Sequence, residues 1–262
     1  MPSPLRPLVR WLSGRVLPPL AYPVIRGPLR GKRFILGAPA GEGGGARVYV
    51  NAVEPRKTEA LLQILRPGQI VFDIGANIGY YTLLASQQVG SSGRVLAFEP
   101  FVRNIAFLHR HVSMNRADNV TVVPVACAEC SSIEEFVIGA DCATGHLANK
   151  PVQRGDDNIL IVATAAVDDV VREYGLIPDV IKVDVEGAEE RVLRGAAKTL
   201  AEARPILLLG VHSPVLRTAC TNYLVRLGYP DPAICEESDG DTELLFIPAA
   251  HRRLAPVHAL DA

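Results

Sequence analysis

Three ionisable side chains stand two positions apart, Lys182, Asp184 and Glu186, in the run Ile181-Lys-Val-Asp-Val-Glu-Gly-Ala-Glu189. In extended backbone, residues spaced by two project to the same side. A lysine inside an apolar strand is costly to bury unless it is paired, and Asp184 is the expected partner. Gly187 permits a sharp turn into a following helix. Such a trio can hold an acceptor hydroxyl and take its proton. The competing reading is a buried ion pair followed by a carboxylate at a helix N-terminus, where the dipole favours it; catalysis is the expectation. A fourth candidate, His212, follows the apolar run Pro205 to Val211. An unperturbed histidine titrates near ~6.5, which suits general-base work.

A second constellation lies earlier in the chain. In Val71-Phe-Asp-Ile-Gly-Ala-Asn-Ile-Gly-Tyr80, an apolar run ends in Asp73, and Gly75 and Gly79 follow. The next apolar run, Val95-Leu-Ala-Phe98, ends in Glu99, placed to accept hydrogen bonds from ribose hydroxyls. This is the layout of a nucleotide-binding strand–turn–helix, with glycine where the backbone turns tightly and approaches a ligand. A dinucleotide fingerprint counted from Gly75 requires glycine at positions 77 and 80. Asn77 and Tyr80 stand there instead and would crowd a pyrophosphate. S-adenosyl-L-methionine has no phosphate, and its zwitterionic tail suits Asp73 and Asn77. A tight turn with no ligand is the third reading. S-adenosyl-L-methionine fits best.

The surrounding pattern alternates strands with helices. Thr58 to Leu65 reads as a helix with Leu61, Leu62 and Leu65 on one face, stopped by Pro67-Gly68. Strands are expected at Ile70 to Asp73, Arg94 to Phe98, Val120 to Val125, Val180 to Val183, Pro205 to Val211 and Glu243 to Ile247. Helices are expected at Tyr80 to Val89, Val102 to Asn115, Ala188 to Ala201 and Val215 to Leu227. A further helix reaches Tyr174, capped by Asp168 or Asp169 and ended by Gly175. Residues 128–163 are less regular, with strand-like pieces at Glu135 to Ile138 and Ile159 to Thr164. The fold class is α/β, a doubly wound, mostly parallel sheet. Ligands in such sheets sit beyond the carboxyl ends of the strands, which singles out Asp73, Glu99, Cys127, Asp184 with Glu186, and His212.

Composition narrows the classes. The 262 residues carry a net charge of -1, without the basic field that nucleic-acid binding requires. Before Glu42, the first acidic residue, come Arg6, Arg10, Arg15, Arg26, Arg30, Lys32 and Arg33, in a segment broken by prolines. Residues 1–45 therefore read as a basic extension, 46–250 as the main domain and 251–262 as a tail. The extension admits a weak peripheral contact with an anionic membrane, or a solvated segment packed on the domain; the second is expected. No apolar run reaches the ~20 residues that span a bilayer, and prolines interrupt the h-region that a signal peptide needs. Five cysteines do not pair evenly, which favours a reducing, cytoplasmic setting. Cys127, Cys130, Cys142 and His146 offer zinc-ligand types, and Asp184 with Glu186 could hold magnesium. Neither outweighs its structural reading, and no metal is expected.

The motifs together resemble those of FkbM-like S-adenosylmethionine-dependent methyltransferases. The resemblance rests on Val71 to Thr82, Ala97-Phe-Glu-Pro100, Asn119 to Ala126, Val167-Asp-Asp-Val170, Ile181 to Glu189, Leu193-x-Gly-Ala196 and Arg204-Pro-Ile206, and spans about residues 26 to 250. It implies a Rossmann-like class I methyltransferase fold and O-methylation of a sugar, glycan, polyketide or related metabolite. Glu99 would then bind the ribose, Asp73, Gly75, Asn77 and Gly79 the turn and tail, and the loop at Cys127 the adenine. Lys182, Asp184, Glu186 and His212 would face the acceptor. Such sequences commonly carry a glutamate two residues before the strand-five histidine, where this chain has Gly210. That departure leaves a second reading open, a cofactor-binding or assembly protein that no longer transfers methyl groups.

Overall fold

The computed structural model describes residues 20–35, 37, 44–139, 145–148, 158–238 and 241–254. Five parallel strands form its centre: β3 (Ile70–Ile74), β4 (Arg94–Phe98), β5 (Val120–Val123), β10 (Val180–Val183) and β11 (Ile206–Val211). Every residue of β10 and β11 is buried, as befits strands covered on both faces. Two antiparallel strands, β12 (Ala233–Ser238) and β13 (Asp241–Phe246), extend the edge beside β11, giving the order β12-β13-β11-β10-β3-β4-β5. The chain runs outward from β3 to β5, then returns to build β10 and β11 on the other side. This reversal places a topological switch point between β3 and β10.

Side chains alternate across the sheet into two apolar layers. Val71, Val95 and Leu208 pack with α2 (Pro55–Ile64) and α3 (Tyr80–Val89). Phe72, Ile181 and Leu209 pack on the other side with α5 (Val167–Tyr174), α6 (Glu189–Gly195), α7 (Ala197–Glu202) and α8 (Pro214–Arg226). A smaller sheet, in the order β6-β9-β7-β8, joins β6 (Ala126–Cys127), β7 (Ser132–Val137), β8 (His146–Leu147) and β9 (Ile159–Ala165). It gives the segment read as irregular an architecture of its own.

Three local expectations need correction. The helix read over Ala188 to Ala201 is two helices, α6 and α7, parted at Ala196. Asp168 does not cap its own helix, which starts at Ala166 without a side-chain cap. Instead its carboxylate accepts the backbone N–H groups of Lys198 and Thr199, capping α7. Strand β12 was not anticipated; its ladder with β13 is irregular between Ile234 and Glu236. Within the segment read as a basic extension, residues 1–45, the structure describes a folded element. A hairpin of β1 (Ala21–Pro23) and β2 (Arg33–Ile35) buries Leu29, Phe34 and Ile35 in the core.

His111 ties that hairpin to the domain. It lies in α4 (Val102–Met114), where its Nε2 accepts the Ile35 N–H at 3.0 Å and its Nδ1 stands 2.7 Å from the Ile78 carbonyl. The pair of contacts fits the neutral ring protonated on Nδ1, and burial holds its pKa below the usual value. Arg26, Arg30 and Arg33 remain exposed, whereas Arg6, Arg10 and Arg15 lie outside the described residues. No helix among the described residues is long and apolar enough to cross a membrane.

Candidate active site

A cleft of about 490 Å³ opens at the switch point and is lined on one side by Gly75, Ala76, Asn77, Glu99 and Cys127. Lys182, Asp184, Glu186 and His212 line the other side. The fold thus brings the two constellations of the sequence together, although Asp73 and Gly79 do not line this cleft.

The turn after β3 is held from both ends. The N–H groups of Gly75 and Ala76 donate to the Phe98 carbonyl, and that of Asn77 donates to Glu99 Oε2 at 2.8 Å. Asn77 itself adopts φ 50°, in the left-handed region that asparagine tolerates. Gly75 has φ +77°, and a Cβ there would overlap the carbonyl oxygen of Asp184. The glycine therefore serves the approach of β10 to β3. At Gly79, a Cβ would stand 2.6 Å from Leu108 Cδ1, again a packing constraint.

Glu99 is almost fully buried, and its Oε1 accepts from Phe101 N–H at 2.9 Å. Burial raises its pKa against the pull of these donors. Asp73 is turned away from the cleft. It stands directly opposite Lys182 in the parallel register, with Lys182 Nζ 3.1 Å from its Oδ1 and the Thr82 hydroxyl 2.6 Å from its Oδ2. Lys182, expected to pair with Asp184, lies 3.7 Å from that carboxylate and donates to the Gly75 carbonyl at 2.9 Å. Burial pushes the Cys127 thiol well up, so it lines the cleft as a neutral group.

Asp184 is bound chiefly by a residue that sequence reasoning missed. Lys57, on α2 and fully buried, donates to Asp184 Oδ2 at 2.7 Å, to Glu243 Oε1 at 2.6 Å and to Glu54 Oε1 at 3.2 Å. The Tyr81 ring lies 5.3 Å from Lys57 Nζ and 5.4 Å from Lys182 Nζ, a cation–π arrangement with both. Burial disfavours the charge on Asp184, but Lys57 and Lys182 outweigh it and hold the carboxyl well below its ordinary pKa. Position 57 stands four and seven residues before Leu61 and Ile64, the buried face of α2. A lysine on that apolar stripe was the available signal.

His212 is enclosed by carboxylates. Its Nδ1 lies 2.5 Å from Oε1 of Glu189, which is fully buried, and its Nε2 lies 3.4 Å from Asp184 and 3.5 Å from Glu186. Burial opposes a charge on the ring, yet hydrogen bonds to Asp184 and Glu189 dominate and raise its pKa to about 11. The imidazole expected to titrate near ~6.5 is thereby an imidazolium at neutral pH. Glu186 differs. Burial, together with neighbouring acids, lifts its pKa to about 7, so it exchanges a proton near neutrality.

Gly210 is answered from the next strand. It pairs with Glu243 across β11 and β13, and a Cβ at Gly210 would stand 3.0 Å from Glu243 Oε1 and 3.4 Å from Asp184 Oδ1. The side chain absent from position 210 leaves room for a carboxylate delivered by β13.

Among the described residues, two clusters have metal-binding geometry, Asp184 with Glu186 and His212, and Glu54 with Asp184 and Glu243. Lys57 already occupies the second. Of the cysteine set, Cys127 is buried and Cys130 exposed, and Cys142 lies outside the described residues.

Comparison with known proteins bears on the family and the fold. A hexuronic acid methyltransferase, AglP, of Haloferax volcanii is 27% identical over 157 residues, 59% of this chain and 61% of that protein. The chain thus spans about three fifths of that relative's length. The crystal structure of methyltransferase FkbM from Methylobacillus flagellatus KT shares the fold, with a TM-score of 0.51 and 21% identity over 74% of this chain and 51% of that one. The model of the methyltransferase FkbM domain matches residues 73–229, so that Lys57 and Glu243 join the site from outside the matched segment. With that match over more than half its length, the chain belongs to the FkbM methyltransferase family.

Proposed function

We propose that this protein transfers the methyl group of S-adenosyl-L-methionine to a hydroxyl oxygen of a sugar or related metabolite. The observation that carries the reading is the meeting, in one cleft, of the Gly75–Asn77 turn with Glu99 and the Asp184–Glu186–His212 group. Sugar is favoured among hydroxyl acceptors by the hexuronic acid relative. When bound, the cofactor would supply an electrophilic methyl group on a sulfonium.

The residues present fit it. Glu99 is a carboxylate at a strand end, suited to accept ribose hydroxyls, and Asn77 Oδ1 is buried in the turn without a hydrogen-bond partner. The lysine nearest the turn, Lys182, is bonded to the Gly75 carbonyl and paired with Asp73 rather than free to cradle a pyrophosphate. Glu186 would take the acceptor's proton as the oxygen attacks, and His212 and Asp184 would orient that carboxylate. With cofactor and acceptor bound, the cleft walls would align the two, which is most of what an in-line displacement needs. Glu243 beside Gly210 keeps a carboxylate at the point whose loss suggested a non-catalytic protein, which favours the enzyme reading.

Titration calorimetry with S-adenosyl-L-methionine and with NAD tests the cofactor assignment. Glu99→Ala is expected to weaken S-adenosyl-L-methionine binding at least ~10-fold, since lost hydrogen bonds to a charged group cost ~1.5–3 kcal/mol. Unchanged affinity in a folded variant, or preference for NAD, would sink it.

Turnover is expected to survive exhaustive chelation. The ammonium groups of Lys57 and Lys182 already supply the positive charge at Asp184 that a divalent ion would bring. Activity lost in EDTA and restored by magnesium would overturn this, making Asp184 and Glu186 ligands.

A further inference from the structure

We infer that the acceptor bears no negative charge, and that an amino-bearing sugar is preferred over a sugar acid. The inference rests on the sugar-acceptor reading above and concerns the acidic side chains that line the same cleft. Glu54, Glu186, Glu236, Asp241 and Glu243 all line it, and Arg47 is the exposed cation among its lining residues. Lys57 offers nothing to a ligand, being fully buried and bonded to three carboxylates. The nitrogens of His212 likewise already face Glu189, Asp184 and Glu186.

Two of these acids are placed where the fold alone disfavours them. Glu236 and Glu243 stand directly opposite each other across β12 and β13. Like charges in that relation destabilise a sheet. Each also keeps one buried carboxylate oxygen, Oε2, without a hydrogen-bond partner. A buried acceptor left unmade is costly, and what satisfies it is a donor. Hydroxyl and ammonium groups donate; a carboxylate only accepts, and it would enter against Glu236 and Asp241, neither of which Lys57 neutralises. The relative named for hexuronic acid is similar in sequence over 157 residues, but this wall is built for a different charge.

The test compares three methyl glycosides that differ at one substituent: a glucoside, a glucosaminide and a glucuronide. Each is assayed with S-adenosyl-L-methionine and the full-length protein, in low and high salt. The glucuronide should show kcat/KM at least roughly tenfold below the glucoside, as like-charge juxtaposition demands. The glucosaminide should match or exceed the glucoside. The gap should shrink in high salt and in Asp241→Lys, which changes an exposed wall residue. A glucuronide used as well as the glucoside, or a gap insensitive to both salt and Asp241→Lys, overturns the charge inference while leaving methyl transfer standing. Failure of all three glycosides in a protein that binds the cofactor defeats the sugar reading and this inference with it.

Discussion

Asp184→Asn should fold and bind S-adenosyl-L-methionine with near-normal affinity, yet lose ~10²–10⁴-fold in turnover, the range typical of proton-transfer groups. The substitution keeps the size of the side chain and removes its charge. Asp184 stands between Lys57, at 2.7 Å, and His212 Nε2, at 3.4 Å, so its charge fixes both neighbours. Without it, the imidazolium loses a carboxylate, and the orientation of Glu186 loosens. Binding should persist, because Glu99 and Asn77 hold the opposite side of the cleft.

The pH profile assigns the proton. Glu186 titrates at about 7, so kcat should rise with pH through that value as the carboxylate becomes available. Glu186→Gln should abolish this limb. His212, raised to about 11, should contribute no limb between pH 5 and 9, and His212→Ala should be less severe than Asp184→Asn. Turnover and cofactor affinity measured for all three variants decide the matter. If Asp184→Asn unfolds or loses cofactor while His212→Ala binds normally and is inactive, Asp184 is structural and the histidine leads.

Lys57→Met carries the largest expected effect on stability. Removing one partner of a buried ion pair typically costs about 3–5 kcal/mol, because the remaining charge is stranded. Here Asp184, Glu243 and Glu54 would share the loss, although Lys182 still neutralises part of it at 3.7 Å from Asp184. The penalty should depend on pH, and its sign follows from the carboxylates. In the wild type, Asp184 has a depressed pKa, and its contribution is present above the unfolded value and lost as pH falls through the folded one. Without the ammonium, Asp184 and Glu243 would titrate higher and could be neutralised by protonation. The stability gap between wild type and variant should therefore be widest near neutral pH and narrow toward pH 4. Denaturant unfolding at several pH values measures it. A gap below about 1 kcal/mol at neutral pH, or one flat with pH, would show that the lysine is not the site's electrostatic anchor.

How much of this was legible depended on how far apart the cooperating residues lie. The Val71 to Tyr80 turn and the Ile181 to Glu189 motif each fold within one strand and its following turn, so spacing alone revealed them. Lys57 reaches Asp184 across 127 positions and Glu243 across 186, and no periodicity links such residues. The cap on α7 was hidden for the same reason, since Asp168 reaches Thr199 across 31 positions. Asp73 shows the converse. Its position at a strand end was correctly read, but the neighbouring strand puts Lys182 opposite it, which turns a residue expected at the ligand toward the interior.

Alternating apolar runs, glycine turns and the residue closing each strand determined the α/β fold and the residues to question, because backbone periodicity is a local property of sequence. Which carboxylate each cation holds, and hence that His212 is charged while Glu186 stands near neutrality, only the tertiary structure decided. A pKa follows burial and distances of a few ångströms to other charges, and those distances exist only once remote strands have been set side by side.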